Sequence, residues 1–93
     1  MSDLKMTNAG DYMKTNNTRV IVWSKQNCPY CVKAKYLLKL KSYEYEERVI
    51  GEGWTREQLL EAVPTARTVP QIFIGEELVG GYDQLVVWFE NKS

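Results

Sequence analysis

The chain has 93 residues, with twelve Lys or Arg against twelve Asp or Glu and no histidine. This length fits one domain with one core. The balanced charge gives no electrostatic basis for nucleic acid or an anionic membrane as the main partner. No apolar run approaches the roughly 20 residues of a membrane-spanning helix, and without histidine the usual acid–base and metal-binding roles of imidazole are absent.

Residues 1–17 are polar and show no sustained hydrophobic period. They lack the apolar stretch of a secretory signal peptide, which favours a cytoplasmic location. We expect residues 1–17 to form a loosely ordered extension and residues 18–93 to form the domain. Because the cytoplasm is reducing, a disulfide there is expected to cycle with its thiols rather than to be permanent.

The first part of the domain predicts a strand, a helix and a second strand. Residues 19–24 are apolar on both faces, which is typical of a central strand covered by helices. Residues 29–41 repeat apolar side chains at three- and four-residue steps, which indicates an amphipathic helix. The side chains of residues 43–49 alternate between two faces, which predicts a strand with one solvent-exposed face, as in an edge strand.

The second part predicts a short helix, a hairpin and a final helix. Thr55 is expected to cap a helix over residues 56–63, with Gln58 completing a capping box. Residues 71–74 and 78–79 flank a turn and predict an antiparallel hairpin. Asp83 is expected to be the N-cap of the last helix, whose inner face carries Leu85, Trp88 and Phe89.

This order, β-α-β-α-β-β-α, defines the expected α/β fold. The first two strands need a right-handed crossover and are therefore parallel, whereas the last two are antiparallel. We expect a mixed four-stranded sheet with helices on both faces.

The segment Cys28-Pro29-Tyr30-Cys31 contains the only two cysteines of the chain. It follows a predicted strand and opens a predicted helix, a placement typical of a thioredoxin-like redox site. Three residues apart on one helical turn, both sulfurs face the same way, so that one can attack and the other can resolve. The alternative is that the two cysteines are two of the ligands of a metal site. Zinc takes four ligands, however, and the chain has no histidine or further cysteine to supply the other two.

Three segments resemble the signature segments of a dithiol glutaredoxin, namely Lys25-x-x-Cys28-Pro29-Tyr30-Cys31, Arg67-Thr68-Val69-Pro70 and Gly80-Gly81-Tyr82-Asp83. The resemblance covers roughly residues 18–93, and the compact size and short last helix are similar to glutaredoxins of bacteriophages. It implies a thioredoxin-like fold, a four-stranded mixed sheet flanked by three helices. It also implies a monomeric, glutathione-dependent thiol–disulfide oxidoreductase that needs no metal.

The resemblance assigns attack to Cys28 and resolution to Cys31. At a helix N-terminus, the unsatisfied N–H groups and the helix dipole favour a thiolate, and such settings lower the pKa of a thiol from about 8.5 to about 3.5–7.5. Cys31, one turn further, is expected to be more buried and to stay a thiol until it attacks the mixed disulfide. A glutaredoxin-type site is more oxidising than a thioredoxin, at about −200 to −230 mV against about −270 mV.

The resemblance also implies which charged and aromatic residues meet glutathione. Lys25 and Arg67 are expected to meet its glycine carboxylate, although ordinary surface charge is an alternative for Arg67. The second helix is expected to add either Arg56 or Gln58. Tyr30 is expected to border the glutathione groove, with a place in the core as its alternative.

A cis peptide before Pro70 is implied, which turns the backbone of Val69 toward Cys28, where a peptide can pair with it as an added strand. Asp83 is expected to receive the γ-glutamyl amine, in addition to capping the helix. The N–H groups of Tyr82 and Asp83 are expected to hold the γ-glutamyl carboxylate. Thr68 and Gly81, in the same two segments, complete the expected groove.

The implied partners are glutathione and disulfide-containing client proteins, with ribonucleotide reductase as a natural client. A carrier of a glutathione-bridged iron–sulfur cluster is the alternative function. Carriers mostly have Gly or Ser where this chain has Pro29, and proline stiffens the turn, so this alternative ranks below. A thioredoxin-like partner of a reductase is a third hypothesis, which the presence of Lys25 and Asp83 disfavours.

Overall fold

The computed structural model of the protein describes residues 18–92. Its elements follow in the order β1 (Val20–Ser24), α1 (Pro29–Leu40), β2 (Glu46–Val49), α2 (Arg56–Ala62), β3 (Gln71–Ile74), β4 (Glu77–Gly80) and α3 (Tyr82–Lys92). The extension predicted for residues 1–17 lies outside the described residues. None of these helices has the length and apolar character to span a membrane.

The four strands form one mixed sheet in the order β2-β1-β3-β4. β1 pairs parallel to β2 and antiparallel to β3, and β3 pairs antiparallel to β4. The thioredoxin-like α/β fold predicted from the sequence is therefore confirmed. Because β1 lies in the middle of the sheet, the loop that follows it carries the cysteine motif to the centre of one sheet edge.

The alternation of side chains along the strands divides the core into two clusters, one on each face of the sheet. On one face, Val20 and Val22 of β1 pack with α1 and α3. On the opposite face, Trp23 packs with Leu59 and Val63 at α2. The two central strands, β1 and β3, are thus covered on both faces, which explains why β1 is apolar from Val20 to Trp23.

Helix α1 places the redox motif because its inner face is anchored in the core. Cys31, Ala34 and Leu38 are its buried residues, at the helical spacing expected of one face. Pro29 stands in the first turn, where a missing N–H leaves no bond unmade. The helix ends at Leu40, because Lys41 is its C-cap residue and Ser42 then takes a positive φ.

Strand β2 is shorter than predicted, because it begins at Glu46 rather than at residue 43. Ser42 takes a positive φ of 66° and Tyr43 donates its N–H to the carbonyl of Leu38, so these residues complete the turn after α1. Tyr43 and Tyr45 then pack against the core before pairing with β1 starts. Their alternation reflects burial of aromatic side chains rather than a longer strand.

The capping box predicted for α2 is present. Thr55 Oγ1 accepts the N–H of Gln58 at 3.1 Å, and Gln58 Oε1 accepts the N–H of Thr55 at 2.8 Å. We expect Thr55→Ala to lower the free energy of unfolding by about 1 kcal/mol, because one N–H at the start of α2 loses its partner. Urea unfolding measures this, with Thr65→Ala in the exposed turn after α2 as the control; equal losses in both variants would contradict it.

The predicted N-cap role of Asp83 is wrong. Helix α3 begins at Tyr82, so that Asp83 lies within the first turn. Gly81 precedes the helix: its carbonyl accepts the N–H of Leu85 at 3.0 Å, and its N–H donates to Gln84 Oε1 at 2.9 Å. Because Gln84 reaches back to Gly81 in this way, the helix starts two residues earlier than it would with Asp83 as its N-cap.

Candidate active site

Cys28 is the N-cap residue of α1, in an extended backbone conformation. Its Sγ accepts the N–H of Cys31 at 3.2 Å, and its carbonyl accepts the N–H of Val32 at 3.1 Å. The sulfurs of Cys28 and Cys31 are joined as a disulfide, with their Cα atoms 5.2 Å apart. The structure therefore holds the oxidised form of the motif, with Cys28 Sγ directly at the helix N-terminus.

The two sulfurs differ in how far solvent can reach them. Cys28 is 8% exposed and Cys31 is 1% exposed, which agrees with the expectation that Cys31 is more buried. In the reduced protein, the N–H of Cys31 and the positive end of the α1 dipole both act on Cys28 Sγ, and both favour a thiolate there. The geometry thus makes Cys28 the accessible and activated sulfur of the pair.

The segment before β3 lies against the redox pair. The Val69–Pro70 peptide bond is cis, as the sequence resemblance implies. The carbonyl oxygen of Val69 lies 3.8 Å from Cys28 Sγ, while Pro70 is buried and Thr68 is exposed. The backbone of Val69 is therefore placed beside the sulfur that a substrate would approach.

A groove of about 300 Å³ runs beside the disulfide on the α3 side. It is lined by Tyr30, Thr68, Val69, Pro70, Gly81, Tyr82, Asp83 and Gln84. Tyr30 is 57% exposed, so its alternative place in the core is excluded. The rings of Tyr30 and Tyr82 lie 6.2 Å apart, with Lys33 Nζ 5.3 Å from the first ring and 5.9 Å from the second.

This groove brings together seven of the residues that the sequence assigned to glutathione and adds Gln84, which sequence reasoning missed. Gln84 stands three residues after Gly81, the spacing of a capping box, and that spacing is the signal that could have identified it. Lys33 was also missed, because a lysine on a helix face is ordinarily a solvated charge.

A second, smaller depression of about 100 Å³ adjoins the groove through Thr68 and Val69. Three cationic side chains line it, those of Lys25, Arg56 and Arg67, and no acidic side chain does. Gln58 is instead engaged with Thr55 in the capping box. Of the two residues left open on the second helix, Arg56 lines this depression.

Glu47 belongs to a separate network on the other side of α1. Its Oε2 accepts hydrogen bonds from Lys35 Nζ at 2.8 Å and from Ser24 Oγ at 2.6 Å. Burial acts to raise the pKa of Glu47, but the hydrogen bonds from Lys35 and Ser24 outweigh it, so the pKa lies below its ordinary value. The carboxylate form is thus favoured in the folded state.

A lowered pKa in the folded state makes stability depend on pH in a defined direction. The contribution of Glu47 is present above its ordinary pKa of 4.5 and is lost as pH falls through the lower folded value. Between pH 6 and pH 3, we expect the free energy of unfolding to fall further in wild type than in Glu47→Gln. The additional loss is expected to be about 1 kcal/mol or less, as for a partly exposed ion pair. Urea unfolding across this range measures it, with the exposed Glu44→Gln as control; parallel curves for wild type and Glu47→Gln would contradict it.

The chain matches the glutaredoxin family model over residues 20–79. Glutaredoxin 1 of Escherichia coli is 35% identical over 82 residues, which cover 80% of this chain and 95% of that protein. Hybrid peroxiredoxin hyPrx5 of Haemophilus influenzae is 40% identical over 70 residues. The chain spans 29% of the length of that longer protein.

The fold agrees with these relatives. The crystal structure of the buckwheat glutaredoxin–glutathione complex superposes with a TM-score of 0.70 at 27% identity, covering 83% of this chain and 73% of that one. The cysteine motif at the start of α1 and the cis-proline segment facing it are what the family resemblance implied. The chain therefore belongs to the glutaredoxin family of thiol–disulfide oxidoreductases.

Proposed function

We propose that the protein is a glutathione-dependent thiol–disulfide oxidoreductase that reduces protein disulfides and glutathione mixed disulfides. The observation that carries this proposal is the position of Cys28 Sγ. It accepts a hydrogen bond from the N–H of Cys31 at the N-terminus of α1, and it faces the backbone of Val69. A Cys28 thiolate at this position can attack a disulfide. A peptide bound along the Val69 backbone would place its own disulfide sulfur next to that thiolate.

The reaction proceeds by two thiol–disulfide exchanges. The Cys28 thiolate attacks one sulfur of the client disulfide; that S–S bond breaks, a mixed disulfide forms, and the leaving thiolate takes a proton. Cys31 then loses its proton and attacks Cys28 Sγ, which forms the Cys28–Cys31 disulfide and releases the client's second thiol. The client gains the two electrons that the cysteine pair loses.

Glutathione returns the pair to the dithiol. One glutathione thiolate attacks Cys28 Sγ, which breaks the Cys28–Cys31 bond and leaves a glutathione mixed disulfide on Cys28. A second glutathione attacks that mixed disulfide, so that glutathione disulfide leaves and both cysteines are reduced. When the substrate is itself a glutathione mixed disulfide, Cys28 alone suffices.

The groove and the adjoining cationic depression suit the two charged ends of glutathione. The first turn of α3 offers N–H groups for the γ-glutamyl carboxylate, and the carboxylate of Asp83 suits its ammonium group. Lys25, Arg56 and Arg67 suit the glycine carboxylate at the other end. The shared residues Thr68 and Val69 join these two ends, in support of one continuous binding path.

Asp83→Asn is expected to raise KM for glutathione about tenfold with little change in kcat, because the ammonium group loses a charged partner. Steady-state rates at varied glutathione concentration measure this. Glu76→Gln, in the exposed turn between β3 and β4, is the matched control and is expected to behave as wild type. Equal KM values for Asp83→Asn and wild type would remove Asp83 from the glutathione site.

Coupling the protein to glutathione and glutathione reductase tests the proposed function as a whole. We expect reduction of a small mixed disulfide only when glutathione is present. Equal rates with a thioredoxin reductase in place of glutathione would contradict the proposal. Brown colour and visible absorbance of freshly purified protein would instead favour the competing hypothesis of an iron–sulfur cluster carrier.

The physiological setting belongs to the same proposal. We propose a cytoplasmic monomer that serves disulfide-containing client proteins, with ribonucleotide reductase as one client. Independence of the activity from added metal is part of this proposal. Titration of the oxidised client with the reduced protein, followed by thiol counting, tests whether a given client is served.

A further inference from the structure

The disulfide borders a third depression, on the side of α1 away from the glutathione groove. This cavity, of about 610 Å³, is lined among others by Cys28, Cys31, Val32, Lys35 and Glu47. Both cysteines line this cavity, and neither lines the groove. The proton that Cys31 must lose before it can resolve a mixed disulfide therefore has an aqueous exit here, beside Lys35 and Glu47.

Helix geometry directs Lys35 toward Cys31. The two residues are four apart on α1 and so lie on one face, one turn apart. Helical side chains lean toward the N-terminus, which points the stem of Lys35 back over the turn that carries Cys31. Lys35 and Cys31 therefore share one helix face and line the same cavity.

Glu47 fixes this cation in place. Lys35 and Glu47 form an ion pair at 2.8 Å, with side chains 26% and 29% exposed. Ser24, which is fully buried, donates its hydroxyl to the same carboxylate oxygen at 2.6 Å. Partial burial and this second hydrogen bond hold the pair more firmly than an exposed surface pair, so its charges act on nearby groups with less screening by solvent.

The other charged side chains around the cavity contribute less to its electrostatic field than the Lys35–Glu47 pair does. Lys25 and Glu52 also line it, one positive and one negative, and both are exposed. Their opposite charges offset one another and are screened by water. Of the charged side chains that line the cavity, Lys35 and Glu47 are therefore the ones least screened by solvent.

We propose that the Lys35–Glu47 pair, anchored by Ser24, tunes the resolving step by setting how readily the Cys31 thiol loses its proton. Lys35 favours the Cys31 thiolate, and Glu47 offsets this effect. The proposal rests on the assignment of resolution to Cys31 made above. In the step concerned, Cys31 releases its proton to solvent in the cavity, its sulfur bonds to Cys28 Sγ, and the client sulfur leaves with the electron pair of the broken bond.

Two neutral variants are expected to change the resolving step in opposite directions. Lys35→Met leaves an unpaired carboxylate near Cys31 and is expected to slow single-turnover reduction of insulin, without glutathione, about threefold to tenfold at pH 7. Glu47→Gln leaves an unpaired ammonium and is expected to speed it by a similar factor. The pH midpoint of the rate is expected to move up in Lys35→Met and down in Glu47→Gln.

Lys39→Met, one turn further along α1 and exposed, is the matched control and is expected to leave rate and midpoint within about twofold of wild type. The same three substitutions in a Cys31→Ser background, assayed on the mixed disulfide of glutathione and cysteine, are expected to have no effect, because this reaction needs Cys28 alone.

Slower resolution in both Lys35→Met and Glu47→Gln would overturn the proposal, since only loss of structure explains the same sign from opposite charges. Equal changes in the Cys31→Ser background would also overturn it. Failure of the proposed function is distinct: wild type would then reduce insulin but show no turnover with glutathione.

Discussion

Replacement of Cys28 by serine is expected to abolish reduction of both protein disulfides and glutathione mixed disulfides, by on the order of 10³-fold or more. The hydroxyl of serine does not ionise near neutral pH, so the helix N-terminus has no thiolate to stabilise. Cys31 cannot substitute for it, because its sulfur is 1% exposed and a client cannot reach it. The glutathione-coupled assay on both substrate types measures this effect.

Cys31→Ser is the matched partner of this experiment, because it removes the same atom type from the same helical turn. It is expected to lose protein disulfide reduction and to keep most of the activity on glutathione mixed disulfides, which needs no resolving thiol. Activity retained in Cys28→Ser but lost in Cys31→Ser would reverse the two roles and contradict the account.

Leu38→Ala is expected to lower the free energy of unfolding by about 2–5 kcal/mol, the usual range for emptying a fully buried leucine site. Leu38 is 0% exposed in the core cluster beneath α1. Leu40, two residues later, is 62% exposed, and Leu40→Ala is expected to change stability by less than about 0.5 kcal/mol. Denaturant unfolding of the oxidised proteins compares the two; equal losses would show that α1 is not anchored through its inner face.

The fold could be predicted from the sequence where one local pattern decided each element. The apolar run of β1, the helical period of α1 and the Thr55–Gln58 spacing each indicated their element, because burial and capping act over a few residues. The start of β2 could not be predicted in this way. Tyr43 and Tyr45 alternate as in a strand, yet they are placed by the turn after α1 and by packing against the core.

The error at Asp83 has a similar cause. Aspartate is a good N-cap, but glutamine at the third helical position can also fix where a helix begins. Gln84 bonds the N–H of Gly81 and so starts α3 at Tyr82. Two local signals competed within four residues, and only the folded backbone shows which one determined the helix start.

The site could be predicted in its chemistry but not in its full set of residues. The cysteine spacing and the family resemblance indicated the groove. Which of Arg56 and Gln58 lines the adjoining depression depended on which side chain the capping box uses. Ser24, Lys35 and Glu47 are far apart in the chain and show no motif. The parallel register of β1 with β2 brings them together, which sequence periodicity alone does not specify.

Trapping the first covalent intermediate shows which cysteine of the pair attacks. Reduced wild-type protein is mixed briefly with glutathione disulfide, quenched in acid and digested, and the peptides are examined by mass spectrometry. We expect glutathione attached to Cys28 at early times, followed by conversion to the Cys28–Cys31 disulfide. Glutathione found first on Cys31, or a disulfide that forms without any glutathione adduct on Cys28, would contradict it.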